Sequence, residues 1–217
     1  NLFICGGFNS IGIVSSGGAG KVTAEWMMNG EMQDDIFSLD ISRFEKFHSE
    51  LDFITERVTE TLGNLYAMHW PFKQHTTSRN QKLMPYHDHL IKRGACFGQA
   101  AAYERPMWYA INGNEPKYKY SYEYQNWYES AEYETINARK NLALFELSPF
   151  AKFELRGPSC HSSLQYLCAN DIKNQVGVIT YTQMLNSKGG IVSDLTVTCI
   201  EENRFRVVTG SGFRTHD

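Results

Sequence analysis

The chain has 217 residues, of which 42% are hydrophobic, 13% aromatic and 21% charged, a balance that excludes a disordered or low-complexity protein. With 21 Lys and Arg against 24 Asp and Glu, and a net charge of −3, the bulk composition excludes nucleic acid as an expected partner. No run approaches the ~20 apolar residues of a membrane-spanning helix, so no membrane partner is expected either.

In chain order, Leu2-Phe3-Ile4-Cys5 is a short apolar run that stops at Gly6-Gly7 and reads as a buried strand end. Gly12 and Gly17-Gly18-Ala19-Gly20 mark a glycine-rich turn. From Lys21 the spacing turns helical, with Val22, Trp26 and Met27 along one side and Asn29-Gly30 as the stop. Met32-Gln33-Asp34-Asp35 then loosens into a connector, and a first region ends near residue 38. From Ile41 to about Phe97 the pattern is mostly helical. Phe53, Ile54, Val58, Thr61, Leu62 and Leu65 recur at three- and four-residue steps and are expected on the inward side of one helix, broken at Trp70-Pro71. After a polar loop from Lys73 to Lys82, Pro85 opens a second helix through Leu90 and Ile91, with Gly94 as its stop.

A third region starts with Glu104-Arg105-Pro106-Met107-Trp108-Tyr109 and runs through Tyr118, Tyr120, Tyr122, Tyr124, Trp127 and Tyr128. The alternation there reads as an extended segment packed along a surface, in preference to an aromatic ligand cage. Glu134 to Ala143 reads as a helix, Ala151-Lys152-Phe153-Glu154-Leu155 as a strand and Ser159 to Leu167 as another helix. Ile191 to Ile200 and Phe205 to Thr209 are two further strands, separated by the turn-prone Glu201-Glu202-Asn203.

Most motif-like spellings in the chain fail on inspection. Gly17-Gly18-Ala19-Gly20-Lys21 lacks two of the four fixed positions of a phosphate loop, since Ser15 and Val22 stand where a glycine and a hydroxyl residue are needed, and no G-x-G-x-x-G occurs. His87 and His89 would project about 200° apart on a helix and cannot share a metal ion unaided, so they read as solvent-facing or capping residues and no metal site is expected. The five cysteines (Cys5, Cys96, Cys160, Cys168 and Cys199) form no C-x-x-C pair, which argues against a disulfide framework and for a reducing compartment, cytoplasm or mitochondrial matrix. Cys160, His161 and Cys168 read as packing residues, with no base and orienting acid beside them. Asp194 stands apart: it lies in an alternating apolar strand just after Gly189-Gly190, where a carboxylate is costly unless it is paired, faces water or binds something.

Taken together, the segments resemble the flavoprotein family of dimethylglycine dehydrogenase and sarcosine dehydrogenase. In that family an FAD-dependent amine oxidase domain is followed by a folate-binding aminomethyltransferase-like domain. The resemblance rests on Gly7 to Ile13, Gly17 to Lys21 and Ala24-Glu25-Trp26; on Ser78-Arg79-Asn80, Pro85-Tyr86-His87-Asp88, Gly94 to Phe97 and Glu104 to Tyr109; and on Asn126-Trp127-Tyr128, Arg139, Leu144 to Ser148, Lys152 to Glu154, Arg156-Gly157-Pro158, Asn170-Asp171, Tyr181 to Asn186 and Gly189 to Thr198. Glu146 stands where the family usually has Asp.

The resemblance implies an α+β chain in three parts. Residues 1–38 would be a C-terminal strand-turn-helix piece of the FAD domain, 39–97 a small central domain, and 98–217 the truncated N-terminal part of the folate domain. The chain opens on Asn1-Leu2 without an initiator Met or a signal-peptide pattern, and it is expected to be an internal fragment, inactive alone. Implied cofactors are FAD, held near Asn9, Ser10, Gly12 and Ile13, and tetrahydrofolate, walled by Tyr181, Met184, Leu185 and Val208. Asp194 would be the catalytic acid–base group, buried beside Leu195. The implied reaction is oxidative demethylation of a small N-methylated amine, an N-methylated glycine such as dimethylglycine or sarcosine, with the carbon captured as 5,10-methylenetetrahydrofolate and the electron acceptor, a protein or oxygen, left open. Two alternatives stand beside it: a non-catalytic relative resembling the regulatory subunit of pyruvate dehydrogenase phosphatase, which keeps the architecture, and a stand-alone aminomethyltransferase of glycine cleavage, in which residues 1–97 have no place.

Overall fold

The computed structural model describes residues 2–30, 32 and 35–217 and divides into two units, one within residues 1–46 with residue 216 and one of residues 47–215 with residue 217. In the first unit, helix α1 spans Gly12–Asn29. It follows a tight turn in which Asn9 and Ser10 both take left-handed backbone (φ 45° and 70°) and the Ile11 N–H bonds Phe8 O at 3.0 Å. The helix therefore starts nine residues earlier than the spacing predicts and absorbs Gly17, Gly18 and Gly20, which sequence had placed in a turn. Each glycine costs about 1 kcal/mol relative to alanine in a helix interior. The second half compensates: Trp26 meets Phe3 edge-on at 5.0 Å, and Gly30 (φ 80°) closes the helix with its N–H on Trp26 O. Leu2 to Cys5 form no strand, because nothing among the described residues pairs with them. Of the connector read at Met32 to Asp35, Gln33 and Asp34 lie outside the described residues.

The second unit begins with helix α2, Leu51–Tyr66, then helix α3, His87–Lys92, closed by Gly94 at φ 76°. Strands β1 (Ala95–Ala100) and β2 (Tyr103–Tyr109) form an antiparallel hairpin that runs through positions 97 and 98, where sequence had placed a domain boundary. Helix α4 (Tyr128–Lys140) follows. A four-stranded antiparallel sheet then assembles in the order β3-β6-β5-β4 from Ala151–Arg156, Arg204–Thr209, Ile191–Glu201 and Ile179–Leu185, with helix α5 (Cys160–Leu167) on one face. The core lies between α5 and the sheet, around Phe205, Leu164, Ile172, Leu195, Val197, Cys199, Val207 and Cys160. No helix of the described residues is long and apolar enough to cross a membrane.

The expected inward face of α2 is corrected in part by the structure. Ile54, Val58, Leu62 and Leu65 are 39–47% exposed, whereas Phe53 and Thr61 of the expected set are half-buried, on a side that also carries Arg57 and Glu60. The reason is the polar loop that follows, whose backbone groups need partners. Glu60 takes the N–H and hydroxyl groups of Thr76 and Thr77. Glu56 takes those of Ser78, and Arg57 donates to Thr77 O at 2.6 Å and to Gln99 Oε1 at 3.0 Å. Beneath them sits a buried ion pair. Arg79 grips Glu104, which is 1% exposed, with Nε on Oε1 at 2.8 Å and Nη2 on Oε2, while Asn80 N–H and Gln99 Nε2 complete the carboxylate. A Cβ at Gly98 would come 2.7 Å from Gln74 Oε1, itself held by Gln99 N–H, so this strand position accepts only glycine without repacking.

The tyrosine-rich segment is packed against this loop, as its composition implies, although it forms no strand. Tyr120 Oη accepts from Gln74 N–H at 2.9 Å, Tyr122 Oη donates to His69 O at 3.0 Å, and Tyr122 lies 4.9 Å from Trp70. His87, read as solvent-facing or capping, is 8% exposed and packs on Phe97 at 4.5 Å. Its helix is only six residues long and presents that side to β1.

Two outcomes follow from the polar network. Replacing Arg79 by Met leaves Glu104 charged and unpaired in the interior and should cost about 3 kcal/mol or more in urea unfolding, with part of the loss recovered when Glu104 is also replaced by Met. Burial pushes the Glu60 carboxyl up, but the Thr77 and Thr76 donors outweigh it and hold it at about 2, below its ordinary 4.5. Its contribution, about 3 kcal/mol from that difference, is therefore complete above pH 4.5 and lost as the pH falls toward 2. Urea midpoints measured across that window should fall less steeply for Thr77→Val than for the native chain.

Candidate functional site on the open face of the sheet

Only one face of the four-stranded sheet is covered by α5. Strand alternation decides which side chains lie on the other, and the β4–β5 turn sets the phase of that alternation. Asn186 N–H bonds Gly190 O at 2.9 Å, Gly189 sits at φ 80°, and Asn186 Oδ1 accepts from both Lys188 and Gly190 N–H groups at 2.9 Å. A Cβ on Gly190 would press on the Asn186 amide at 2.9 Å. The paired glycines thus have distinct jobs, one conformational and one steric. Just beyond the turn the ladder shifts register: Leu185 pairs with Ile191 and Met184 with Ser193, leaving Val192 as an extra residue. Such a bulge re-aims the side chains that follow it.

After the bulge, Ser193, Leu195, Val197 and Cys199 face the core, and Asp194, Thr196 and Thr198 face the open side. Gln183 pairs directly with Asp194, Tyr181 with Thr196, and Val208 of β6 with Thr196 from the other flank. The open face therefore brings together Asp194, Gln183, Tyr181, Thr196 and Val208. Gln183 Nε2 donates to Asp194 Oδ1 at 3.2 Å. The neighbouring Asp194 carboxylate, more than burial, pushes the Tyr181 phenol above its usual value, while Gln183 opposes the shift.

Two expectations from sequence are corrected here. Asp194 is exposed, whereas sequence had it buried beside Leu195; adjacent strand residues point to opposite faces, so burial of Leu195 puts Asp194 outside. Met184 packs against the core cluster, on the face opposite Asp194, and cannot wall the same site. Leu185 lies at the bulged rim and is 46% exposed. Gln183 was missed, because Ile179 to Leu185 was not read as a strand. Its signal was available in the period of two from Tyr181 to Gln183 and the tight turn that sets both opposite β5.

In the first unit, Asn9 and Ser10 form the left-handed turn and Gly12 and Ile13 open α1. The first bond of that helix is Ser15 N–H to Ile11 O, so the N–H groups of Gly12, Ile13 and Val14 have no carbonyl of the helix to bond. Ile13 is 95% exposed, and a Cβ on Gly12 would meet only Phe8 at an ordinary 3.6 Å. Elsewhere among the described residues no group of His, Cys, Asp and Glu could hold a metal ion. Cys160, Cys168 and His161 pack as expected: Cys160 is in the core, Cys168 lies against it, and His161 stacks on Phe205 at 5.8 Å with Nε2 at 2.9 Å from Ile172 O.

Two family models match the chain: the GCVT N-terminal domain over residues 86–217 and the FAD dependent oxidoreductase central domain over residues 29–83. A 4-methylaminobutanoate oxidase (formaldehyde-forming) of Paenarthrobacter nicotinovorans is 42% identical over 97% of this chain and 26% of its own length. The mitochondrial pyruvate dehydrogenase phosphatase regulatory subunit of Mus musculus is 30% identical over 99% of the chain and 25% of its own length. The mitochondrial sarcosine dehydrogenase of the same species is 30% identical over 91% and 24%. The chain thus spans about a quarter of the length of the curated relatives it matches. Among solved structures, the glycine cleavage system aminomethyltransferase T of Bartonella henselae superposes with a TM-score of 0.51 at 25% identity, over 64% of this chain and 34% of that one.

The two faces should respond differently to truncation. Met184→Ala, on the core side, is expected to cost about 1 to 3 kcal/mol, whereas Asp194→Ala, on the open side, should change urea stability by less than about 0.5 kcal/mol.

Proposed function

The chain belongs to the GCVT N-terminal domain family, and from that premise we propose that it forms the central part of an FAD- and tetrahydrofolate-dependent oxidative demethylase of N-methylated amines, of the dimethylglycine or sarcosine type. The observation that carries the reading is the set of side chains on the uncovered sheet face, where a carboxylate, an aromatic ring and an aliphatic wall lie together. These suit a reduced pteridine, which needs a flat partner and a proton acceptor beside its amine. Bound flavin would supply the acceptor for the hydride of the N-methyl group, and bound tetrahydrofolate the amine that captures the resulting iminium carbon as 5,10-methylenetetrahydrofolate.

This chain's residues do the rest. Asp194 takes the proton that the capturing amine releases as its new N–C bond forms, so the negative charge of the carboxylate is neutralised at that moment. Tyr181 and Val208 line the ring, and Leu185 closes the rim. At the start of α1, the N–H groups of Gly12, Ile13 and Val14, aimed by the turn at Asn9 and Ser10, point outward with the positive end of the helix dipole. They fit the electron-rich N1/C2=O edge of a flavin, on which charge arrives during reduction. Residues 47–84 dock on the β1–β2 hairpin through the Arg79 and Glu104 pair. The likeness to a phosphatase regulatory subunit favours a second reading, a non-catalytic interaction protein with the same architecture.

In the flavoenzyme carrying this chain, Asp194→Ala should leave amine-dependent flavin bleaching intact and lower the yield of 5,10-methylenetetrahydrofolate by about 10²-fold, with formaldehyde released instead. Equal loss of both signals would contradict the division of labour. Absence of any amine-dependent bleaching in the native protein would favour the regulator.

A further inference from the structure

Oδ1 of the Asp194 carboxylate accepts from the Gln183 amide directly across the ladder at 3.2 Å, and the Tyr181 hydroxyl also lies within reach of the carboxylate. A carboxylate on an exposed strand can rotate about its last torsion, which is broad and roughly two-fold. On the open face the Gln183 amide is what breaks that symmetry: its Nε2–H is a donor only, it stands opposite Asp194 by register, and the register is fixed by the Asn186 to Gly190 turn and the bulge at Val192. Tyr181, two residues along the same strand and on the same face, flanks the pair and limits the directions the carboxylate can take.

We infer that Gln183 is a positioning residue that holds Oδ1 of Asp194 and thereby presents Oδ2 as the oxygen that receives the proton of the capturing amine. As the lone pair of the capturing amine formed the bond to the iminium carbon, the C=N π pair would return to the substrate nitrogen, and the amine proton would arrive at Oδ2 while Oδ1 keeps its bond to Gln183. No further reactant is needed. The inference rests on the reading of Asp194 given above, and misplacing a catalytic group by a fraction of its reach lowers the rate without removing the site. Gln183→Met keeps the length and volume of the side chain and removes the donor. Gln183→His restores a ring N–H at similar reach.

The test compares Gln183→Met, Gln183→His and Asp194→Asn in the flavoenzyme carrying this chain. Gln183→Met should lower the turnover for methylenetetrahydrofolate about ten-fold at saturating tetrahydrofolate. KM for tetrahydrofolate, its Kd measured by fluorescence quenching without amine, and flavin bleaching should all stay within about two-fold, and Gln183→His should recover most of the turnover. Crystals of Gln183→Met should show the Asp194 carboxylate in a different orientation, or in two, against one in the native protein. Unchanged turnover in Gln183→Met, alongside loss in Asp194→Asn, overturns the positioning role and leaves the reading of Asp194 standing. Unchanged yield in Asp194→Asn overturns that reading itself. Equal falls in bleaching, folate Kd and turnover for Gln183→Met, with no recovery by His, would show a merely structural side chain and also overturn the inference.

Discussion

The interior of this chain is organised around a charge that has no water to solvate it. Glu104 is almost fully buried, and burial alone would push its carboxyl up; the Arg79 guanidinium, the Asn80 N–H and the Gln99 amide reverse that and hold it below its ordinary value. The same hydrogen bond raises the Arg79 guanidinium further above its own. Arg79 lies in the polar loop after α2 and Glu104 in β2, so the pair joins the end of the segment matched by the central-domain model to the start of the segment matched by the GCVT model. A buried ion pair is a poor source of net stability, but it is strongly selective, because every alternative docking leaves a charge unpaired. That selectivity fixes where the β1–β2 hairpin stands.

A second constraint acts at the other end of the chain. The Asn186 to Gly190 turn and the single extra residue at Val192 set which half of β5 faces α5. A shift of one residue would bury Asp194 and expose Leu195, at the cost of both a desolvated carboxylate and a lost core side chain. The site on the open face is thus a by-product of correct core packing: Phe205, Val207, Leu195 and Val197 point inward, and Asp194, Tyr181, Gln183 and Val208 are left together outside. The proposed chemistry and the stability fall to alternate residues of the same strands.

Much of this was legible in the sequence wherever periodicity and burial agree. β3, α5, β5 and β6 follow from their alternation and helical spacing, and the stop of α1 at Gly30 follows from the glycine that takes left-handed backbone there. Reading failed where a local pattern meets a competing demand. The apolar positions of α2 have the right spacing for a core face, yet the polar loop after the helix claims the side carrying Arg57 and Glu60. Gly17 to Gly20 resemble a turn, but the N-terminal turn at Asn9 and Ser10 has already started the helix. β1 was overlooked because Ala95-Cys96-Phe97-Gly98 carries no β-branched residue, whereas β4 was overlooked although Ile179, Thr180, Tyr181 and Thr182 are strand formers. Missing β4 also hid Gln183 and set Met184 on the wrong face. That Asp194 and Tyr181 share a surface could be seen only once the register was known.

The face carrying Asp194 is proposed to receive a reduced pteridine. A crystal structure of the full-length protein that carries this chain, with a non-reactive reduced folate bound, decides the matter. An amine nitrogen of the pteridine is expected about 3 Å from Asp194 Oδ2, with the Tyr181 ring alongside. A folate seated elsewhere, with Asp194 open to solvent and Tyr181 untouched, would contradict it.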